Sequence, residues 1–383
     1  MYNNQHNGKH VANPTSNGMN KQRQTSNGVK GTIAVLPGDG IGPEIMSSAL
    51  RVLDAVNKRY KHEITTKTAL VAGPAYDKYG THLPDESIEI CSKADAILFG
   101  AVGGPVDDQE NSKWKNAEKN VILGLRKKFD LFANLRPLQV FAGAENLSPL
   151  KPELVAGMNV LIIRELVSGI YFGPRKRYKE NGEEIAEETS RYKWSEIERV
   201  VRVAFNAASN RKKKLTVVDK ANVLETSRLW RDVVRSLEKE FKDVKVEYMF
   251  VDNAAQQLVR SPSSFDVIVT DNLFGDILSD LGGAVVGSLG LLPSASLNGK
   301  KFGLYEPVHG SAPDIAGKGI ANPTAQILSL AMLLRHTFEL GKEADVIEKA
   351  IRDVLASGDR TRDLGGKLST EEFTSCVIDK LTS

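Results

Sequence analysis

The sequence predicts an α/β enzyme, and three observations carry that expectation. Short runs rich in β-branched residues alternate with segments of helical periodicity along most of the 383 residues. The runs are apolar without alternation, the pattern of strands covered on both faces of a largely parallel sheet. At roughly 100–200 residues per domain, the chain has room for two or three domains and a substantial core.

Taken in order, residues 32–36 form the first run, and a helix over 43–57 follows that opens on Pro43, a residue suited to a first turn. Runs at 94–99 and 159–163 come next, then a helix over 195–210, a run at 215–218, a helix over 227–241, runs at 244–250 and 265–269, and an apolar helix over 323–334. The uncharged stretch 281–299 has the length of a bilayer span, yet it holds five glycines, Pro293 and Asn298. It reads as buried turns and short elements, so no membrane partner is expected.

Residues 1–30 differ from everything after them. They are Asn-rich, lack acidic residues, and repeat Thr15-Ser16-Asn17-Gly18 as Thr25-Ser26-Asn27-Gly28. Such a segment buries too little surface to offset its ordering entropy and is expected to be a disordered extension. It has no apolar stretch of the secretory kind and only one arginine, Arg23. A cytoplasmic protein is the expectation, with an organellar transit peptide as the alternative.

Composition removes several classes of function. A total of 51 Lys and Arg against 48 Asp and Glu leaves a net charge of +3, which disfavours nucleic-acid binding through a globally basic surface. Two cysteines, Cys91 and Cys376, are too few for a disulfide scaffold or a four-cysteine zinc site.

The first glycine loop, Gly38-Asp39-Gly40-Ile41-Gly42-Pro43-Glu44, lies between a strand and a helix but fails as a dinucleotide fingerprint. Its spacing is G-x-G-x-G, and Asp39 and Glu44 would set negative charge where a pyrophosphate should sit. A plain strand-to-helix turn is the competing reading.

The acidic pair Asp276 and Asp280 stands at i and i+4, on one face of a largely apolar helix, where two like charges call for a cation between them. Carboxylate oxygens suit a hard divalent ion such as Mg2+, with Asp252, just past a strand, as a third ligand. A solvated acidic face is the alternative. Arg126, Arg136 and Arg164 supply the opposite charge; Arg164 ends an apolar run and needs an anion, and several arginines together suit a polycarboxylate. Each alone fits an ordinary salt bridge equally well. Lys220 closes another apolar run, where burial or nearby cations would make it a usable base.

These residues sit in motifs that resemble the family of metal-dependent β-decarboxylating dehydrogenases, whose members act on isopropylmalate, isocitrate, homoisocitrate and tartrate. The motifs are Leu36 to Glu44, Asn134-Leu135-Arg136-Pro137, Arg164-Glu165 with Gly169-Ile170-Tyr171-Phe172-Gly173, Asp219-Lys220-Ala221-Asn222-Val223-Leu224, Asn272 to Asp280, and His309-Gly310-Ser311-Ala312-Pro313-Asp314. The resemblance covers residues 31–383. It implies a two-domain isopropylmalate/isocitrate dehydrogenase-like fold that is not Rossmann. A first, cofactor-side domain comprises 31–131 plus 287–383, a second, dimerisation and metal/substrate domain comprises 132–286, and the site lies in the cleft between them. It further implies a homodimer in which Lys220 and Asp252 reach the site of the partner subunit.

By the same resemblance, Asp252, Asp276 and Asp280 hold Mg2+ or Mn2+, Lys220 deprotonates the substrate hydroxyl, Tyr171 protonates the enol carbon, and Arg126, Arg136 and Arg164 hold carboxylates. Hydride passes to NAD, and loss of carbon dioxide follows. The positions facing the variable substrate group fall on Ile122, Leu123 and Val223. All three are aliphatic, which implies 3-isopropylmalate as substrate, 4-methyl-2-oxopentanoate as product and a place in leucine biosynthesis; a third carboxylate would be stranded in hydrocarbon there. The segment Ala117 to Leu123 is one residue longer before Arg126 than the family's Pro-Glu-x-Gly-Leu-Leu pattern, which leaves the cofactor-side residue as Glu118 or a neighbour.

The remaining cofactor contacts implied are Gly104, Glu306, His309, Gly310, Ser311, Ala312, Asp314, Ile315 and Asn322. Asp314 can bond both ribose hydroxyls of NAD and repels the 2′-phosphate of NADP. Two other readings stand beside this one. A sibling dehydrogenase would act on tartrate, malate or homoisocitrate, and a non-catalytic binding homologue would have lost Lys220, Tyr171 or a metal aspartate, all of which are present.

Overall fold

The computed structural model describes residues 28–383. Most of the extension read at 1–30 therefore lies outside the described residues, but its last three do not. The first strand, β1, spans Lys30–Gly38, the Val29 amide donates to His62 Nδ1 at 3.0 Å, and Lys30 pairs with Glu63 at 2.7 Å. The ordered chain thus starts earlier than its apolar run, because backbone pairing with the next strand does not need apolar side chains.

Eleven further strands follow: β2 Glu63–Thr68, β3 Ala96–Ala101, β4 Ala133–Gln139, β5 Asn159–Glu165, β6 Arg175–Glu180, β7 Glu183–Glu188, β8 Lys214–Asp219, β9 Lys245–Phe250, β10 Val267–Thr270, β11 Pro293–Leu297 and β12 Gly303–Pro307. Ten of them form one sheet in the order β2-β1-β3-β12-β11-β4-β5-β10-β8-β9, while β6 and β7 make a separate antiparallel ribbon. The sheet has two parallel wings, one through β2, β1, β3 and β12, the other through β5, β10, β8 and β9. Antiparallel pairings of β12 with β11, β11 with β4 and β4 with β5 join them. This mixed order is unlike the all-parallel dinucleotide-binding sheet, as the failed glycine fingerprint anticipated.

All six strands and all four helices expected from the sequence are present. The helices are Gly42–Tyr60, Trp194–Ser209, Glu225–Glu238 and Thr324–His336. β3 is buried at every residue, but β9 is not: it forms the sheet edge and is half-buried to exposed along its length. The joining strands escaped notice because β4 carries Asn134, Arg136 and Pro137 among its apolar residues, and β11 is mostly Pro, Ser and Ala before Leu297. The uncharged stretch 281–299 begins with the last turns of helix Asn272–Val286, then passes through a short turn into β11. Among the described residues no helix is long and apolar enough to cross a membrane.

One face of β4 and β5 packs against helix Asn272–Val286. Gly275 permits that approach, since a Cβ there would lie 2.5 Å from Arg164 Cγ. The loops also interlock at Gly40, whose φ of +56° and an imagined Cβ 2.0 Å from the Ser311 carbonyl both require glycine. Asp39 is buried and accepts the Gly73 and Gly103 amides at 2.9 Å each, while Glu44 accepts Ala321 N at 3.0 Å. The acids of the glycine loop are therefore structural ties, which favours the strand-to-helix reading.

The two bonds across Val29 and Lys30 give the first prediction. A chain beginning at residue 31 is expected to melt about 2–4 °C below one beginning at residue 28, because it lacks the Val29 bonds to His62 and Glu63. Equal melting temperatures by differential scanning fluorimetry would show that these pairings contribute nothing.

Candidate active site

A polar row crosses one face of the joining strands. Cross-strand registers set Glu306 of β12 opposite Ser294 of β11, Ser296 of β11 opposite Asn134 of β4, and Asn134 opposite Arg164 of β5. Because side chains alternate along a strand, Arg136 shares the face of Asn134. Asn134 Nδ2 donates to Ser294 Oγ at 2.7 Å, and its Oδ1 accepts Arg136 Nε at 2.8 Å.

The three arginines singled out from the sequence converge on this row. Arg126, from the short helix Gly124–Lys128, pairs with Glu306 at 3.2 Å, both side chains buried. Arg136 reaches helix Asn272–Val286, bonding Ser279 Oγ at 2.6 Å and lying 3.3 Å from Asp280 and 3.6 Å from Asp276. Arg164 donates Nε and one terminal nitrogen to Asn272 Oδ1 at 3.1 and 2.8 Å, and its other terminal nitrogen pairs with Asp276. Burial pulls the Arg164 pKa down to about 10, with Arg136 and Arg126 adding repulsion that Asp276 opposes. Three cations held this close favour an anionic ligand. Arg126 Nε is buried with no partner, a donor left for one.

Asp276 and Asp280 share the helix face that the sequence placed them on. Burial raises the Asp280 carboxyl, against the pull of Arg136. The Tyr171 hydroxyl donates to Asp276 Oδ2 at 3.0 Å, and partial burial together with that carboxylate raises its pKa, so the phenol keeps its proton. An all-carboxylate donor pair fits a hard divalent ion. Among the described residues, however, no three His, Cys, Asp or Glu side chains gather as a metal site.

Asp252, the third carboxylate expected from the sequence, stands in a second group. Lys220 follows β8 and Asp252 opens helix Val251–Arg260 after β9, and the two pair at 2.7 Å. Hydrogen bonding from Lys220 lowers the Asp252 carboxyl. The neighbour of Lys220 within the chain is thus an anion, not the cation envisaged from sequence. Asp219, buried, accepts Arg231 Nε at 2.6 Å and the Ala221 amide at 2.9 Å, which fixes the turn carrying Lys220. Val223 in the same turn is 63% exposed, and Phe250, its ring centre 6.0 Å from Lys220 Nζ, and Ile277 beside Asp276 are exposed as well.

On the cofactor side, Ala312 and Ile315 pack on Ile41, Ile45 and Ala321. Gly310 has open space where a Cβ would stand. Asp314 is exposed, and His309 is held below its usual pKa by burial, with Nδ1 at the Gly310 carbonyl and Nε2 unpartnered. Ser311 is buried, its carbonyl accepting Ile41 N at 2.8 Å. Asn322 is tied to Asp363 and Thr324 N at 3.0 Å each. Gly104 lies beneath the Trp114 indole, where a Cβ would come within 2.1 Å, so its lack of a side chain makes room for that ring. Ile122 is 5% exposed and packs with Val121 and Leu125, whereas Leu123 is only half-buried. Of the two, Leu123 is the side chain that offers surface.

Asn272, Ser279, Asn134 and the Asp219–Arg231 pair went unassigned in the sequence. Asn134, Asp219, Asn272 and Ser279 stand inside the quoted motifs, which was the available signal; Arg231 carried none.

Buried arginines packed against a carboxylate pair on one face of a mixed sheet form a candidate enzyme site suited to a small polycarboxylate. The family model described as isocitrate/isopropylmalate dehydrogenase matches residues 32–377, and the chain belongs to that family. It is 55% identical over 349 residues to the 3-isopropylmalate dehydrogenase of Bacillus subtilis (strain 168), covering 91% of this chain and 94% of that protein. The 3-isopropylmalate dehydrogenase of Aquifex aeolicus (strain VF5) is 53% identical over 354 residues, with 91% and 96% covered. The crystal structure of isocitrate dehydrogenase from Methylococcus capsulatus superposes with a TM-score of 0.82 at 35% identity, covering 92% of this chain and 100% of that one.

Helix Asn272–Val286 is capped by Asp271, whose side chain accepts Phe274 N at 2.8 Å while burial raises its pKa to about 6. A folded-state pKa above the unfolded one means the native state binds the extra proton, so stability falls as pH rises from about 4 to 6. Asp271→Asn keeps a good cap and should flatten that part of the profile while holding or raising the melting temperature at pH 7. An unchanged slope in thermal melts between pH 4 and 7 would assign the pH dependence elsewhere.

Proposed function

We propose that the chain catalyses NAD-dependent oxidative decarboxylation of 3-isopropylmalate to 4-methyl-2-oxopentanoate and carbon dioxide, a step of leucine biosynthesis. The observation that carries the reading is the convergence of Arg126, Arg136 and Arg164 on the Asp276–Asp280 face, with Leu123 as aliphatic neighbour in the helical segment that leads into Arg126. Two relatives at 53–55% identity are named for this activity.

In this reading the guanidinium groups bind the two substrate carboxylates, and the hydroxyl lies toward Asp276 and Asp280. Lys220 Nζ takes the hydroxyl proton. NAD would supply the acceptor for the hydride that leaves the carbinol carbon. Asp276, Asp280 and Asp252 would hold a divalent Mg2+ or Mn2+ ion, which would supply positive charge where negative charge builds up. The bond from the neighbouring carbon to its carboxylate breaks with loss of carbon dioxide, and the Tyr171 hydroxyl, kept protonated by burial and by Asp276, returns a proton to that carbon. His309, Gly310, Ser311, Ala312, Asp314, Ile315 and Asn322 are assigned to the cofactor, along with Gly104, Glu118 and Glu306.

We further read the wings as two domains, 31–131 with 287–383 and 132–286, and the active form as a homodimer. Support comes from the lack of a three-carboxylate group among the described residues and from Val223, Leu224, Phe250 and Ile277, apolar and exposed next to the Lys220 and Asp276 groups. A second copy would cover them and bring Lys220, Val223 and Asp252 to the other site.

Two experiments test this. Leu123→Ala should lower kcat/KM for 3-isopropylmalate by about tenfold or more, since it removes several buried methyl and methylene contacts, and should change turnover of unsubstituted malate far less. Equal losses on both substrates would detach Leu123 from specificity; Ile122→Ala is a poorer probe, because its core position costs stability. Mixing inactive Lys220→Ala and Asp276→Asn homodimers after subunit exchange should restore about a quarter of wild-type activity, as half the dimers are mixed and each holds one intact site. No recovery would place both residues in the same subunit's site.

A further inference from the structure

The helix that delivers Arg126 is irregular. Lys119–Leu123 is a π-helical turn that runs directly into the α-helix Gly124–Lys128, with Glu118 at its start. Such turns absorb one extra residue and cost stability relative to a regular helix, so something has to hold them. On a regular α-helix Glu118 and Arg126, eight residues apart, would point about 80° away from each other. A five-residue π turn closes that offset to about 10°. The turn therefore sets Glu118 on the Arg126 side of the helix. Its charge is felt by Glu306, the partner of Arg126.

One side-chain contact pins the turn from outside. Asn120 Nδ2 stands 3.1 Å from His82 Nδ1, and His82 Nε2 stands 3.0 Å from the Lys113 carbonyl. The carbonyl can only accept, so Nε2 carries the proton and Nδ1 accepts from Asn120. His82 is itself buried, packed on Tyr76 at 4.9 Å, and its own carbonyl accepts Ala72 N at 2.7 Å. Val121 and Ile122 anchor the C-terminal part of the turn in the core, and the fixed imidazole holds Asn120, nearest Glu118, by a side-chain hydrogen bond.

We propose that Asn120 and His82 are positioning residues for the cofactor side of the site, holding the π turn so that Glu118 faces the Arg126–Glu306 pair. The proposal rests on the assignment of Glu118 to the bound NAD made above. Without the Asn120 bond the segment is free to relax to a regular helix, which turns Glu118 away and leaves Arg126, set by the following turn, in place.

A double-mutant cycle separates this from a structural role. KM for NAD and kcat are measured for wild type, Asn120→Ala, Glu118→Gln and the double variant, with thermal melts on each. Asn120→Ala is expected to raise KM for NAD about three- to tenfold with kcat within about twofold, and to have almost no effect on KM in the Glu118→Gln background. His82→Asn, which keeps an acceptor for Asn120, should fall between wild type and His82→Leu. An equal rise in both backgrounds, or none in either, overturns the proposal. If Glu118→Gln alone leaves KM unchanged while Asn120→Ala raises it, the assignment of Glu118 fails and the lock acts on something else.

Discussion

Three guanidinium groups, Arg126, Arg136 and Arg164, are buried within one polar row, and the middle of the sheet is built to neutralise them. Removing a charge from water costs several kcal/mol unless it is paired and hydrogen-bonded. Here Glu306 answers Arg126, and Asp276 and Asp280 answer Arg136 and Arg164, with Asn134, Asn272 and Ser279 filling further donor directions of Arg136 and Arg164. The serines and asparagine of β11 and β4 would be poor strand residues on an apolar face. They are there because the row has to be polar all the way across.

The same requirement shapes what lies on top. Helix Asn272–Val286 has to come close enough for its carboxylates to meet strand-borne arginines, which explains Gly275 against the Arg164 stem. It also explains the capping Asp271, a carboxylate kept in a buried place to fix where the helix begins. The carboxylates are then half-satisfied by arginine from below and open toward the side on which Ile277 is exposed. A site balanced in this way favours a ligand that is both anionic and able to share a cation, which is the chemistry of a hydroxy-dicarboxylate.

Much of this was legible in the residues because the chemistry is concentrated in charged side chains at the ends of apolar runs. Arg164, Lys220 and Asp252 end or follow strands, and their types alone restrict what they can do. The i, i+4 spacing of Asp276 and Asp280 gave their shared face directly. What stayed hidden depends on the third dimension. Strands β4 and β11 alternate apolar residues with Asn134, Arg136, Ser294 and Ser296 and carry prolines, so a search for continuous apolar runs could not find them. Ile122 and Leu123 look interchangeable in sequence, yet one points into the core and the other does not. The extra residue before Arg126 was visible, but only backbone hydrogen bonding could show that it is absorbed as a π turn and not as a loop.

The order of strands also bears on how the chain comes to be folded at all. The wing through β5, β10, β8 and β9 is drawn from one continuous stretch, so it can assemble as soon as that stretch has left the ribosome. The other wing cannot. β3 ends at Ala101, while the strand that seals its free edge, β12, begins at Gly303. Until that late strand arrives, β3 offers a fully apolar edge with unpaired backbone, the kind of surface on which strands of other chains add. Synthesis of the stretch between Ala101 and Gly303 is thus the interval of greatest exposure to misassembly, and the cell's chaperones have their clearest handle on this chain there.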